Sequence, residues 1–239
     1  MISKININDI LFLDIETVPQ YPSFKDVPPA VAELWDKKSK YVRKEGETAA
    51  DVYDRAGIWA EFGRIICISM GFIFSRNEER CIRIKSFYSD SEKSLLQETS
   101  EQLQQFFAKK HLGKLCAHNG KEFDFPYIAR RMLINGLKLP GMLDVAGAKS
   151  WEVPFLDTME LWKFGDYKHY TSLNLLTQIF DIPTPKDDID GSMVADVYYT
   201  ENDLQRIVRY CEKDVVAVAQ LLLRYKGEEL ITHVESVPV

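Results

Sequence analysis

The sequence predicts an α/β domain, a mixed sheet of about five strands flanked by helices, on three observations. A nearly continuous apolar run, Ile10 to Val18, ends at Pro19 and has the character of a central strand buried on both faces. Two β-rich runs, Ile65 to Phe74 and Arg80 to Ser89, follow each other across Ser75 to Glu79 and read as a hairpin. Two long stretches, 91–110 and 200–225, repeat apolar residues at helical spacing.

The remaining elements follow in order. From Gln20 to Gly63 the chain is polar and helix-leaning, with Pro28 and Pro29 before Ala30 and a basic cluster of Lys37, Lys38, Lys40, Arg43 and Lys44. It reads as an insertion or lid packed on the core. Leu95, Leu96, Thr99, Leu103, Phe106 and Phe107 give the helix within Ser91 to Lys110 its stripe. Lys114 to His118 is a short buried strand that opens into the turn signal Asn119-Gly120. A helix begins near Pro126, placed at a first helical position, and stops at Asn135-Gly136. Trp151 to Trp162 holds a last short strand, Thr171 to Phe180 a helix and Ile182 to Ser192 an acidic loop. The final helix is expected to start at Thr200, with Asp203 as its capping-box partner, and to run to about Tyr225. From Ile231 onward a frayed tail is expected.

Composition narrows the class of protein. With 46% hydrophobic and 12% aromatic residues in 239, the chain can bury a sizeable core, which excludes disorder, collagen and coiled coil. The longest apolar stretch, Ile65 to Phe74, contains Ser69 and Gly71 and falls far short of the roughly 20 residues that cross a bilayer. No membrane span is expected, and a start without a signal-peptide pattern leads to the expectation of a cytoplasmic protein. Cys67, Cys81, Cys116 and Cys211 are widely spaced without a CxxC, so they read as small core hydrophobes. No internal repeat or Gly/Ser linker divides the chain, and a single domain over 1–239 is the economical reading, with 20–63 as the insertion and 231–239 as the tail. The net charge of −6 argues against a protein that grips nucleic acid by a bulk positive field.

The acids inside the first strand are the anomaly. Asp14 and Glu16 are two apart, so both carboxylates project from one face. Two like charges side by side in a core are costly unless a cation neutralises them, and oxygen ligands suit magnesium or manganese. Were the strand to end at Leu13, both would be solvated; the apolar run before them and Ile15 between them favour a site. Chance supplies about one Asp-x-Glu in a chain this acidic, and two occur. The other, Asp90 to Glu92, falls at a helix start, where the dipole favours acids anyway. Tyr210 and Asp214, four apart on the last helix, share a face. Alone, such a pair is more often a half-buried tyrosine near a surface acid. Asp124 precedes the Pro126 helix, a common place for Asp, but it also follows a strand through a short turn, and loops at strand ends are where α/β sites are built. His118 and His169 show no zinc-ligand spacing.

Taken in chain order, Asp-x-Glu on a first strand, Asn119 to Phe123-Asp124 in mid-chain and Tyr210-x-x-x-Asp214 on a late helix resemble the three motifs of the DnaQ-like 3′–5′ exonucleases of the DEDDy branch. The flanking residues Phe12 to Thr17, His118 to Gly120 with Phe123 to Pro126, and Asp190 to Ser192 followed by Arg209 to Asp214 resemble the free-standing predicted exonucleases related to the proofreading domain of family-B polymerases. Arg209 stands where the histidine branch carries its histidine, and this departure favours the tyrosine branch. The resemblance runs from Ile10 to about Tyr225 and omits Gln20 to Gly63.

What it implies is an RNase H-like fold and a metal-dependent 3′–5′ exonuclease that releases nucleoside monophosphates from single-stranded DNA. A short-RNA substrate and an inert nucleic-acid- or polymerase-binding domain of the same fold remain the alternatives. Residue by residue, it makes Asp14, Glu16, Asp124 and Asp214 ligands of two divalent cations, Mg²⁺ or Mn²⁺, and Tyr210 the residue that orients the attacking water. With an ordinary phenol pKa near 10, Tyr210 is a poor base at neutral pH. Thr17, Asn119 and Phe123 are candidate contacts to the terminal nucleotide; Phe123 serves equally well as a stacking ring or a core residue. Lys37, Lys38, Lys40, Arg43 and Lys44 read as a phosphate track or, more commonly, a solvated helix face. The implied partners are a single-stranded 3′ end and a polymerase or repair factor in trans.

Overall fold

The computed structural model describes residues 2–149, 151–166, 170–183 and 189–237. Its strands are β1 (Ile10–Pro19), β2 (Gly63–Arg76), β3 (Glu79–Tyr88), β4 (Lys114–Ala117), β5 (Leu156–Asp157) and β6 (His233–Val237). They form one sheet in the order β5-β4-β1-β2-β3-β6. The β1–β2 and β2–β3 pairs are antiparallel, and β4, β5 and β6 add in parallel. This is a mixed α/β sheet flanked by helices, as the sequence predicts. The helices are α1 (Pro29–Ser39), α2 (Glu92–Lys109), α3 (Asp124–Ile134), α4 (Thr158–Lys163), α5 (Leu173–Ile179), the single turn α6 (Val194–Asp196) and α7 (Leu204–Lys226). Among the described residues, no helix is long and apolar enough to cross a membrane.

Period-two alternation along β1 divides the core. Leu11, Leu13 and Ile15 face one side, where they meet Leu95, Leu96 and Leu103 of α2 and Ile128 and Met132 of α3. Ile10 and Phe12 face the other side and pack under Val215, Val218 and Leu222 of α7. Asp14 and Glu16 continue that second row, so the strand's own geometry aims both acids beneath α7. The helix comes very close here because β2 offers Gly71 opposite Phe12; a Cβ at Gly71 would meet Val215 Cγ1 at 3.0 Å. Directly after Glu16 the ladder slips: Cys67 opposes Glu16 and Ile65 opposes Thr17, leaving Ile66 as the extra residue of a bulge. Bulges bend a strand and re-aim its side chains, and this one falls beside the acids.

The 20–63 segment is an elaborated connection between β1 and β2, closed at its base where Gln20 N–H donates to Phe62 O at 2.8 Å. It has its own aromatic cluster. Trp35 is fully buried, donates Nε1–H to Ala49 O at 2.8 Å, and meets Tyr53, Trp59 and Phe62 edge-on at 5.3–5.8 Å between ring centroids. Two buried bonds fasten it to α3: Tyr127 Oη to Gly57 O at 2.7 Å and Arg131 Nη1 to Ala60 O at 2.9 Å.

Three details depart from the sequence reading. The last helix begins at Leu204, not Thr200. Asn202 adopts φ 56°, which breaks the chain after a wide π-turn over Val197–Glu201, and Asp203 is itself the N-cap, accepting from Arg206 N at 3.0 Å. Helix α3 starts at Asp124, two residues before Pro126. The tail is not frayed: His233–Val237 pairs with β3 and adds the sixth strand. Five residues of the expected acidic loop, 184–188, and His169 lie outside the described residues.

Glu92 is no ordinary solvated helix-start acid. It is 7% exposed and takes Arg131 Nε at 2.8 Å and Nη2 at 2.5 Å, Ile65 N at 2.7 Å and Asn135 Nδ2 at 2.9 Å. One buried pair thus ties β2, α2, α3 and the 20–63 segment together. Removing one member of such a pair strands a charge, so Arg131→Met is expected to cost about 3–5 kcal/mol in urea unfolding, with the double substitution Glu92→Leu/Arg131→Met costing clearly less than the sum of the singles. Additive losses would show that the pair does not act as a unit.

Candidate metal centre

Three separate elements bring acids to one place. Asp14 and Glu16 project from β1 toward α7, and Asp124, the first residue of α3, reaches β1 by accepting the backbone N–H of Ile15, which lies between them. This is possible because β4 pairs with β1 only from Ile10 to Phe12, leaving the rest of that edge open. Asp214 comes from α7, and its carboxylate and the Tyr210 hydroxyl, one helical turn apart, share a hydrogen bond. The five residues expected to act together therefore do meet.

The electrostatics describe a site crowded with negative charge. Burial, followed by the charges of Asp214, Glu16 and Asp124, holds the Asp14 carboxyl well above the usual range, with the Cys211 thiol as a small opposing influence. Burial and then Asp214 do the same to Glu16. Burial pushes Asp124 up to about 7, against the backbone N–H bonds that favour its charged form. Tyr210 is pushed far above an ordinary phenol by burial, then by Asp214, Glu16 and Asp14, so its hydroxyl keeps its proton and donates it. Among the described residues, no basic side chain pairs with Asp14, Glu16 or Asp124, and Asp14 Oδ2 is buried without a hydrogen-bond partner. Crowded carboxylates with open oxygens and no counter-charge are a donor set that fits a hard divalent cation.

The turn after β4 is built with equal care. His118 Nε2–H donates to Thr171 O at 2.8 Å, which leaves Nδ1 to accept from the Thr158 hydroxyl at 2.9 Å. Burial lowers its pKa, so the ring is neutral and structural, in line with the absence of a zinc motif. Asn119 takes a left-handed φ of 64°, and its Oδ1 is buried without a hydrogen-bond partner. Gly120 follows because a Cβ there would collide with Ala117 Cβ.

The turn is gripped by Asp157, which the sequence reading passed over. It is 3% exposed, accepts from Asn119 N at 2.9 Å and Lys121 N at 3.1 Å, and caps α4 through Met159 N and Glu160 N. The signal was present, since Asp157 to Glu160 has capping-box spacing. The Tyr170 hydroxyl senses the same region: the residue is 69% exposed, and partial burial of its hydroxyl followed by the charges of Asp124 and Asp157 raises its pKa.

Other expected contacts fare differently. Phe123 is half-buried, with its ring 5.3 Å from Tyr127, so it joins the core on one side and leaves the rest of the ring uncovered. The Thr17 hydroxyl is bonded to the Tyr127 hydroxyl. In the basic cluster, Lys37 pairs with Glu33 and Arg43 folds back on Asp36 and Ser39, while Lys38, Lys40 and Lys44 are exposed.

A sheet whose central strand carries paired acids beneath a helix that adds a tyrosine and a further acid defines an RNase H-like nuclease fold. Residues 58–230 match the family described as predicted 3′–5′ exonucleases related to the exonuclease domain of PolB, and the chain belongs to that family. The matched stretch includes Asp124, Tyr210 and Asp214; Asp14 and Glu16 precede it and reach the same place through the β1–β2 pairing.

A carboxyl with a higher pKa folded than unfolded binds more protons in the native state. It favours folding below its unfolded pKa and loses that contribution as pH rises through the folded value. For Asp124 that window runs from the ordinary carboxylate range to about 7. His118, with its pKa lowered, has the opposite slope, but it cancels when a variant is compared with the parent. In EDTA, Asp14→Asn is therefore expected to melt above the parent at pH 8, on the order of 2–4 °C for each kcal/mol of relieved repulsion. The difference should shrink steadily as the pH falls from 8 and close only near pH 4, where the unfolded carboxyls are protonated too; a pH-independent difference would refute the crowding.

Proposed function

We propose that this protein removes nucleoside monophosphates from the 3′ end of single-stranded DNA with the aid of two divalent cations, Mg²⁺ or Mn²⁺. The observation that carries the proposal is the convergence of four acids from β1, α3 and α7, of which Asp14, Glu16 and Asp124 have no described cationic side chain beside them. Asp14, Glu16 and Asp214 would hold one cation, and Asp124, with Asp14 shared, would hold the other. Bound there, such ions supply Lewis acidity toward water and charge stabilisation at phosphorus.

The chain's own residues do the rest. Tyr210 is a poor base because burial, and then its acidic neighbours, keep it protonated; it holds and orients the nucleophilic water through its hydroxyl. Asn119 presents its unpartnered Oδ1 to the terminal nucleotide, and the uncovered side of Phe123 offers a face for a base. Thr17 contributes by position more than by its hydroxyl, which Tyr127 occupies. The overall charge of −6 suits cation-dependent capture of a chain end better than a strong grip on duplex DNA.

The test is to incubate the protein with 3′- and 5′-labelled DNA and RNA oligonucleotides in Mg²⁺, Mn²⁺ or EDTA. Cation-dependent laddering from the 3′ end, faster on DNA, is expected; faster laddering on RNA transfers the activity to that substrate. Binding without cleavage makes the protein an inert domain. Asp14→Asn should abolish turnover. Tyr210→Phe should slow cleavage by about 10²-fold while calorimetric Mn²⁺ binding persists, and equal loss of both would contradict the role given to the hydroxyl.

A further inference from the structure

Cys211 brings sulfur into a site otherwise made of oxygen. It lies on α7 between Tyr210 and Asp214, is fully buried, and has its Sγ and one carboxylate oxygen each of Asp14 and Glu16 all within 4.8 Å of one another. Its thiol now donates to the backbone carbonyl of Asp14 at 3.4 Å, so it leans on the same residue that heads the acidic cluster. A second observation is independent of the cysteine: the Glu16 side chain is more than nine-tenths buried, yet its carboxylate has no hydrogen bond or ion pair among the described residues. Asp14 Oδ2 is likewise without a partner.

Magnesium gains nothing from sulfur, whereas zinc-class ions bind thiolate sulfur and accept carboxylate oxygen beside it. With Zn–S near 2.3 Å and Zn–O near 2.1 Å, three donors on a tetrahedral ion stand about 3.4–3.6 Å apart, so donors already within 4.8 Å need only small side-chain movements.

We infer that this corner of the site takes a thiophilic divalent cation of the zinc class through Cys211 Sγ and one oxygen each of Asp14 and Glu16, and that its occupancy arrests the nuclease. The binding stands on the geometry alone; the arrest rests on the exonuclease reading above. On ligation the S–H bond breaks, the sulfur–metal bond forms and the proton leaves to water, with no change of oxidation state. Asp14 and Glu16 are then committed to the sulfur-bound ion, so the four acids no longer serve a common pair of ions.

Cadmium, whose thiolate complexes absorb in the ultraviolet, is the probe. The full-length protein titrated with Cd²⁺ should develop a charge-transfer band saturating at one equivalent, and Cys211→Ser should lose the band with cadmium affinity falling by at least about tenfold. Cys67→Ser controls for the neighbouring thiol and should keep the band, as should Cys116→Ser. Circular dichroism checks that Cys211→Ser is folded, and Cys211→Ala provides a second substitution. No band in the parent, or a band that survives loss of Cys211, overturns the site. In parallel, Zn²⁺ added to the Mg²⁺-supported cleavage assay should stop laddering in the parent. Laddering untouched by zinc overturns the arrest, whereas a cadmium band in a protein that cleaves nothing upholds the site and removes the exonuclease reading instead.

Discussion

Like charges forced together beneath α7 are the constraint to which the rest of the molecule answers. Asp14, Glu16 and Asp124 are all held above their ordinary pKa range mainly by burial, and each of these shifts has Asp214 among its electrostatic causes. An apolar core would be more stable with Asn or Leu at these positions. The surrounding structure is therefore engaged in holding an arrangement that does not favour folding by itself, a common condition of functional sites.

Its supports lie mostly outside the cluster. The Glu92–Arg131 pair locks α2 and α3 to β2 and to the 20–63 segment, which fixes the helix whose first residue is Asp124. Asp157 collects four backbone N–H groups and thereby sets the Asn119–Lys121 turn that leads into that helix. Gly71 lets α7 settle on β1 and β2, which brings Tyr210 and Asp214 within reach of the strand acids. Each support uses satisfied polar groups or close contact with a glycine, while Asp14 Oδ2 in the cluster and Asn119 Oδ1 at its rim are among the buried oxygens left without a partner.

The acids and the tyrosine were legible in the sequence because their geometry is local. Two residues along a strand share a face, and four along a helix share a face, whatever the fold does elsewhere. Glu92 was not legible: what buries it is Arg131, 39 residues away, and no local pattern announces such a partner. The sixth strand was hidden for the same reason, since β6 finds its partner in β3, some 150 residues earlier in the chain. Cys211 read as a small apolar residue, which its burial supports, but its proximity to Asp14 and Glu16 needs the helix to be docked before it can be seen. The start of α7 was misplaced by the left-handed Asn202, a choice the backbone makes that a Thr200/Asp203 capping pattern does not reveal.

The two ends of the sheet are protected against other chains by different means. At one border β5 has only two paired residues, too few to template an incoming strand. At the other, β6 presents His233 and Glu235, and Glu235 is gripped by Arg76 at 2.5 Å and Arg83 at 3.0 Å, which puts charge along the exposed rim. A strand that began as an unremarkable C-terminal run thus acts as a bumper. It caps β3, whose Ile82 and Ile84 would otherwise border the open edge, and sets the Glu235 charge where an added strand would have to pair.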